Sequence, residues 1–346
     1  MTTKENINQH FTEIIHKNLP GKRGTLAVVG WFIDDQEEIV PYGDFGSHAP
    51  ETTSFQIGSV TKLFTATLAA ILAQDHQLDI KAQVGDYLEL APGSTVNGVV
   101  IEDLLTHHAG LPSATKALLG KYKHSNPYQH VSRQRLLDYL NTYKKRIKPN
   151  SGFQYSNLGF GVVGLILEAV TRKPYHTLVE DEICQPLDMT DLWITQPKYD
   201  IHLAPGAKFW KKETPRWELN AIAPAGGIDA HMIDMLKYAR ANIPGHPFYP
   251  KCEIAHQTGR SISKHLKIGL GWLITSHEGL GTLHSHTGAT GGFNSFLGVH
   301  PAGRFGVVVL TNCRLSFFQE LGLKMDAASG IGFEGLKVIA KEVEKA

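Results

Sequence analysis

Strand-like and helix-like hydrophobic patterns are unevenly shared along this chain: the strands crowd toward its two ends and helical text fills the middle. Residues 25–32 (Thr-Leu-Ala-Val-Val-Gly-Trp-Phe) and a second run at 38–42 flank Asp34-Asp35, the pattern of a hairpin. Strand signals return at 268–275, 281–287, 294–300 and 304–311, with Pro301-Ala302-Gly303 as the turn before the last. Apolar recurrence at Ile7, Phe11, Ile14 and Ile15 predicts an amphipathic helix over 3–18, ended by Pro20-Gly21, and another amphipathic helix occupies 333–345. Residues 59–74 are rich in Leu, Ala, Thr and Phe and lack Gly and Pro, which reads as a helix buried on most sides. Further helices are expected at 132–146, at 158–172 and, after Gly226-Gly227, at 229–242. The expected fold class is α/β in the α+β sense. One antiparallel sheet is built from both chain ends and flanked by the N- and C-terminal helices, with a large all-helical insertion. The expected division is 1–75 with 225–346 for the sheet part and 76–224 for the insertion, with the active site between them.

With 346 residues, 42% of them hydrophobic, the chain can bury a sizeable core. Lys plus Arg number 34 against 33 Asp plus Glu, without long basic runs, so no electrostatic footprint for nucleic acid or an anionic membrane is present. The N-terminus lacks the apolar core of a signal peptide, and no apolar run reaches spanning length. The expectation is a cytoplasmic protein as written, or a periplasmic or extracellular one if a leader is missing. Cys184, Cys252 and Cys313 are too few and too scattered for a disulfide scaffold or a CxxC metal knuckle, which leaves one disulfide or none. No cofactor is expected.

Ser59-Val60-Thr61-Lys62 is an S-x-x-K quartet where a loop enters the apolar helix. Residues i and i+3 share a helix face, so the Lys62 amine can reach the Ser59 hydroxyl, and a helix N-terminus favours a developing anion. Ser113-Ala114-Thr115-Lys116 and Ser261-Ile262-Ser263-Lys264 match the same pattern but open no long buried helix. For Ser59 the competing reading is a simple N-cap. Tyr155-Ser156-Asn157 follows the turn Pro149-Asn150-Ser151-Gly152 and precedes a helix. A tyrosine aimed at Lys62 could handle protons if the cation lowered its pKa; otherwise it packs a loop while Asn157 caps the helix. Tyr139-Leu140-Asn141 shares the spacing but sits inside an amphipathic helix. His286-Thr287-Gly288-Ala289 ends a strand, where glycine lets the backbone approach a ligand and a free edge can pair with an extended substrate. His284 and His286 share a face, but a third metal ligand at recognisable spacing is missing, so no metal is assigned.

Taken in order, S-x-x-K, Y-x-N and H-T-G resemble the penicillin-recognising serine hydrolases, which join class C β-lactamases, D-alanyl-D-alanine carboxypeptidases and esterase relatives. Leu104-Leu105-Thr106-His107-His108-Ala109-Gly110-Leu111-Pro112 is similar to that superfamily's L-L-T-H-x-x-G-L-P segment, and Ala223-Pro224-Ala225-Gly226-Gly227 and residues 291–312 to its later blocks. The resemblance implies a β-lactamase/transpeptidase-like fold and a serine acyl-enzyme acting on a β-lactam, a D-amino-acid peptide or an ester. It assigns Ser59 as nucleophile, Lys62 and Tyr155 as proton carriers, and the N–H groups of Ser59 and Ala289 as the oxyanion hole. Asn157 would hold the acyl-side amide, and His286, Thr287 and Gly288 would line the substrate side. His286 stands where many β-lactamases of this superfamily have Lys, which leans toward peptidase or broad amidase/esterase activity. A catalytically weak penicillin-binding protein is the non-enzymatic alternative. An α/β-hydrolase is disfavoured because no G-x-S-x-G occurs. A nucleotide-binding reading of the glycines at 159–164 and 330–335 is disfavoured because neither set opens a βαβ unit.

Overall fold

A computed structural model describes residues 2–19, 21, 23–120, 125–145, 147, 152–194, 202–206, 214–257, 259–278, 280–313 and 326–345. Strand β1 (Ala27–Ile33) is buried along all but its last residue, which requires apolar layers on both faces. It pairs with β2 (Gln36–Tyr42) on one side and, across the length of the chain, with β11 (Phe305–Thr311) on the other, in the register Ala27 to Thr311 and Ile33 to Phe305. The two ends thus meet in one sheet, as expected. Beyond β11 the sheet continues through β10 (Asn294–His300), β9 (Gly281–Ala289), β8 (Leu273–His277), β7 (Leu266–Ile268) and β6 (Arg260–Ser263). All seven pairings are antiparallel.

Strand alternation explains why both faces are covered. Ala27, Val29, Trp31, Val307 and Val309 pack against α1 (Thr3–Asn18), through Ile7, Phe11 and Ile15, and against α10 (Ala327–Val343), through Ile331, Leu336 and Ile339. Val28, Phe32, Val308 and Leu310 belong to the opposite core, with α2 (Thr61–Gln74), α6 (Asn157–Thr171) and α8 (Met232–Ala241). Helix α2 is buried over its first twelve residues, as its apolar composition requires. No helix among the described residues is long and apolar enough to cross a membrane.

Several boundaries differ from the sequence reading. The 229–242 segment begins not as helix but as strand β5 (Ile228–Ala230), which joins β3 (Phe55–Gln56) and β4 (Trp193–Ile194) in a small second sheet. Helix α8 starts only after His231, whose side chain accepts from the Asp234 N–H as N-cap. The 268–275 run is two strands separated by a turn at Gly271 (φ 74°). Strand β6 escapes the reading because its polar residues alternate at an exposed edge. The last helix starts at Ala327, capped by the Asp326 carboxylate; glycines that argue against a helix there are contact points, since a Cβ at Gly332 would meet Phe296 at 2.1 Å. Gly164 in α6 likewise lets the helix lie on Pro224. Pro20 and most of the expected turn at 149–152 lie outside the described residues.

Candidate active site

Ser59 lies in a single 3-10 turn, Gly58–Val60, that runs directly into α2. It is therefore not the helix N-cap. The turn is fixed from two directions. Strand β5 grips it through Ile57 N–H to Ile228 O (3.0 Å) and Ile228 N–H to Thr61 Oγ1 (3.2 Å). Strand β9 closes on it so tightly that a Cβ on Gly288 would lie 2.0 Å from Ile57 O, and one on Gly58 would lie 2.7 Å from Ala289 N. Gly58 has φ 50°, so glycine is required there for conformation as well as contact. The glycine of H-T-G thus serves approach to the Ser59 turn, where the sequence suggested approach to a ligand. Strand β8 pairs with β9 only as far as Ser285, so residues 286–289 carry a ladder on the β10 side alone and leave a free edge beside Ser59.

Lys62, the second residue of α2 and one turn on from Ser59, is fully buried. Its Nζ lies 3.1 Å from Ser59 Oγ, 2.8 Å from Asn157 Oδ1 and 2.6 Å from Ala225 O. Burial pushes its pKa well below the usual lysine value. As a neutral amine it has two N–H donors and one lone pair. The Asn157 and Ala225 carbonyl oxygens can only accept and take both N–H groups, so the lone pair faces the one partner able to donate, the Ser59 hydroxyl. The carbonyl is supplied by the 3-10 turn Asn220–Ala225, against which α6 packs through Gly161 and Gly164.

Tyr155 hydrogen-bonds Ser59 through its phenol, and Lys62 Nζ stands 4.7 Å from the ring centroid. Desolvation raises its pKa, only partly offset by the Ser59 contact. The expectation that Lys62 lowers this pKa is therefore corrected: the amine beside it is itself held below its ordinary value, and the phenol stays protonated. Asn157 does not cap α6. That role falls to Ser156, whose Oγ accepts from Gly159 N–H (2.9 Å), leaving the Asn157 amide to bridge Lys62 and the Tyr128 hydroxyl (3.0 Å). Tyr128 had no motif to flag it, and Ala225 acts through its main chain, which side-chain patterns do not reveal.

His286 is buried, with Nδ1 2.6 Å from Thr287 O, and burial with nearby Lys62 lowers its pKa to about 3. Thr287 is half-buried, Gly288 buried and Ala289 exposed at the edge. His284 meets His256 (Nδ1 to Nδ1, 2.7 Å). Among the described residues no three His, Cys, Asp or Glu side chains are grouped to hold a metal ion. Of the other S-x-x-K serines, Ser113 lies beside the site with Oγ 3.5 Å from Asn157 N, but Lys116 is exposed on the short helix α4 (Lys116–Leu119). Ser261 is on β6, its Oγ donating to Ser263 O. Tyr139 is on α5 (Arg133–Asn141), edge-on to Tyr143.

The fold is shared with solved structures at low identity. A class C β-lactamase from Rhodobacter sphaeroides superposes with TM-score 0.78 at 21% identity, covering 96% of this chain and 99% of that one. A β-lactamase/D-alanine carboxypeptidase from Pseudomonas syringae gives 0.77 at 17%, covering 94% and 98%. In sequence, the chain is 26% identical over 287 residues to the D-alanyl-D-alanine-carboxypeptidase/endopeptidase AmpH of Escherichia coli K12, covering 77% of this chain and 73% of AmpH. It is 24% identical to a β-lactamase of Lysobacter lactamgenus (88% and 87% covered) and to Protein flp of Staphylococcus aureus MW2 (79% of this chain), and it spans only 55% of the latter's length. The family model described as Beta-lactamase matches residues 14–327, nearly the whole described fold. With that match and with a sheet and helices arranged as in those enzymes, the chain belongs to the β-lactamase family of the penicillin-recognising hydrolases.

Proposed function

We propose that this protein is a serine hydrolase that forms an acyl-enzyme at Ser59, with Lys62 as the base. The observation that carries the reading is the partnering of the Lys62 amine: two fixed carbonyl acceptors and one hydroxyl, in a fully buried setting that favours the neutral form. Ser59 Oγ attacks the substrate carbonyl carbon as its proton passes to Lys62 Nζ. The charge developing on the carbonyl oxygen is received by the Ser59 and Ala289 N–H groups, which the close fit of β9 on the Ser59 turn supports; such donors are typically worth about 3 kcal/mol each. Tyr155, protonated and hydrogen-bonded to Ser59, passes a proton to the leaving nitrogen or oxygen and is refilled from Lys62. Water then attacks the ester, with the same groups in reverse.

For substrate class, a neutral His286 offers no permanent charge to a carboxylate, which favours amide or ester substrates without one beside it, of endopeptidase or broad esterase type, over efficient β-lactam turnover. The endopeptidase half of AmpH's name supports the same direction. The test is incubation with a fluorescent penicillin, intact mass and a deacylation time course. One adduct on Ser59, absent in Ser59→Ala but present in Ser113→Ala and Ser261→Ala, with slow release, is the expected result. An adduct mapped to another serine overturns the nucleophile, and rapid release overturns the preference for peptidase or esterase substrates.

A further inference from the structure

The stretch after α3 (Ile101–Leu105) ends that helix with a hydrogen-bond pattern that ordinarily calls for glycine. Thr106 is the C-cap, the His108 N–H reaches Asp103 O (2.8 Å), and the His107 N–H reaches Leu104 O (3.3 Å). The residue between them, at φ 60°, is His107, where a β-carbon is a conformational cost. A histidine in the glycine position of such a cap needs a reason, and its contacts supply one. Its main-chain oxygen accepts from Gln154 N–H (2.7 Å), its Nδ1 accepts from Ser156 N–H (3.1 Å), and its ring lies 4.4 Å from that of Tyr155 between them. The ring also touches Phe160 and Phe153, at 5.2 and 5.7 Å between centroids.

We infer that His107 is a positioning residue for Tyr155: it clamps the peptide groups on both sides of the phenol and buttresses its ring face. The inference rests on the proposed proton-handling role of Tyr155. Because Nδ1 accepts from a peptide N–H, the ring proton is on Nε2, which is buried and has no hydrogen-bond partner among the described residues. A second proton would land on Nδ1 and break the Ser156 contact, so the clamp works only with a neutral ring. Burial of the ring enforces that state first, and the titratable groups that face it, Lys62 on α2, His286 on β9 and His108 in its own loop, supply no negative charge that would favour a second proton.

The test uses His107→Gly and His107→Asn in the full chain, with Tyr155→Phe alongside. Glycine suits the backbone and removes the clamp, whereas asparagine tolerates the same φ and can present Oδ1 where Nδ1 stood. His107→Gly is expected to lower kcat about 10- to 100-fold with little change in KM, since misplacement of a reacting group by about 1 Å can cost that much. His107→Asn should recover a clear part of the loss. Independently of activity, a long-range proton–nitrogen histidine spectrum of the wild type should show His107 as the Nε2–H tautomer, untitrated from about pH 8 to 5. An Nδ1–H tautomer, titration in that range, or a His107→Gly enzyme with wild-type kcat overturns the inference. If His107→Gly does not fold, His107→Asn with wild-type kcat, or with losses in kcat that follow thermal stability alone, overturns it. Wild-type acylation in Tyr155→Phe overturns the underlying reading, and the inference with it. Loss in Tyr155→Phe without loss in the His107 variants overturns the inference alone.

Discussion

In the proposed function a single side chain, His286, decides how charge enters the substrate side of the site. A histidine with its ordinary pKa would carry a switchable charge there, with carboxylate substrates favoured as the pH falls toward about 6.5. Burial beside Lys62, with Tyr155 and the His107 region close by, instead holds it neutral down to about pH 3. The kcat/KM ratio for a carboxylate-bearing ester over its uncharged counterpart should then be flat between about pH 8 and 5. A rise of that ratio toward acid would restore the charged-histidine account. The pairing of Ser59 with Lys62 was legible because i, i+3 spacing dictates it. The raised pKa of Tyr155 was not, because desolvation depends on what packs around the phenol from elsewhere in the chain.

The strand β9 is the element that closes on the turn of Ser59, the proposed nucleophile, and its glycine measures how closely. In Gly288→Ala the new methyl would sit 2.0 Å from Ile57 O and 2.4 Å from Ser295 Oγ, both held by the hydrogen bond between them (2.7 Å). The strand must retreat from the Ser59 turn, at a cost of about 1–3 kcal/mol in stability, and the Ala289 N–H moves with it. Acylation by a fluorescent penicillin should slow at least about tenfold, in line with the loss of the proposed oxyanion donor at Ala289. Gly93→Ala, with nothing within 4 Å of its new carbon, should leave both rate and stability unchanged. A wild-type acylation rate in Gly288→Ala would show that β9 does not set the site. Long, periodic elements such as α1, α2, β10 and β11 could be read from the sequence within a few residues. The edge strand β6, polar and paired only with its neighbour β7, and the two- and three-residue strands β3 to β5, held by partners distant in sequence, could not, because none carries a hydrophobic pattern of its own.

At the scale of the molecule, three buried histidines, His107, His256 and His286, and the half-buried His284 have pKa values lowered mainly by desolvation, to about 4 for His284 and about 3 for His286. Unfolded, each binds its proton near pH 6.5, so the stability tied to their neutrality is present above that value and is lost as pH falls toward about 4. The slope is about 1.4 kcal/mol per pH unit for each histidine. Asp234 and Asp326, raised by burial, act in the opposite sense but are fewer. Urea midpoints should therefore fall steeply from about pH 6.5 to 4.5, and a pH-independent midpoint would contradict the burial described. The same molecule-wide packing brings Ser59 of the 3-10 turn, Asn157 of α6 and the Ala225 carbonyl to one amine, that of Lys62 on α2, and the proposed function depends on that amine being the base. The direct measurement is the pH dependence of Ser59 acylation in the wild type, Lys62→Ala and Tyr155→Phe. The account predicts that the wild-type rate rises with loss of one proton well below the ordinary lysine range. It predicts that Tyr155→Phe keeps that limb at a reduced rate, and that Lys62→Ala loses both the limb and about 100- to 10,000-fold in rate. The same limb persisting in Lys62→Ala, or vanishing in Tyr155→Phe instead, would contradict it.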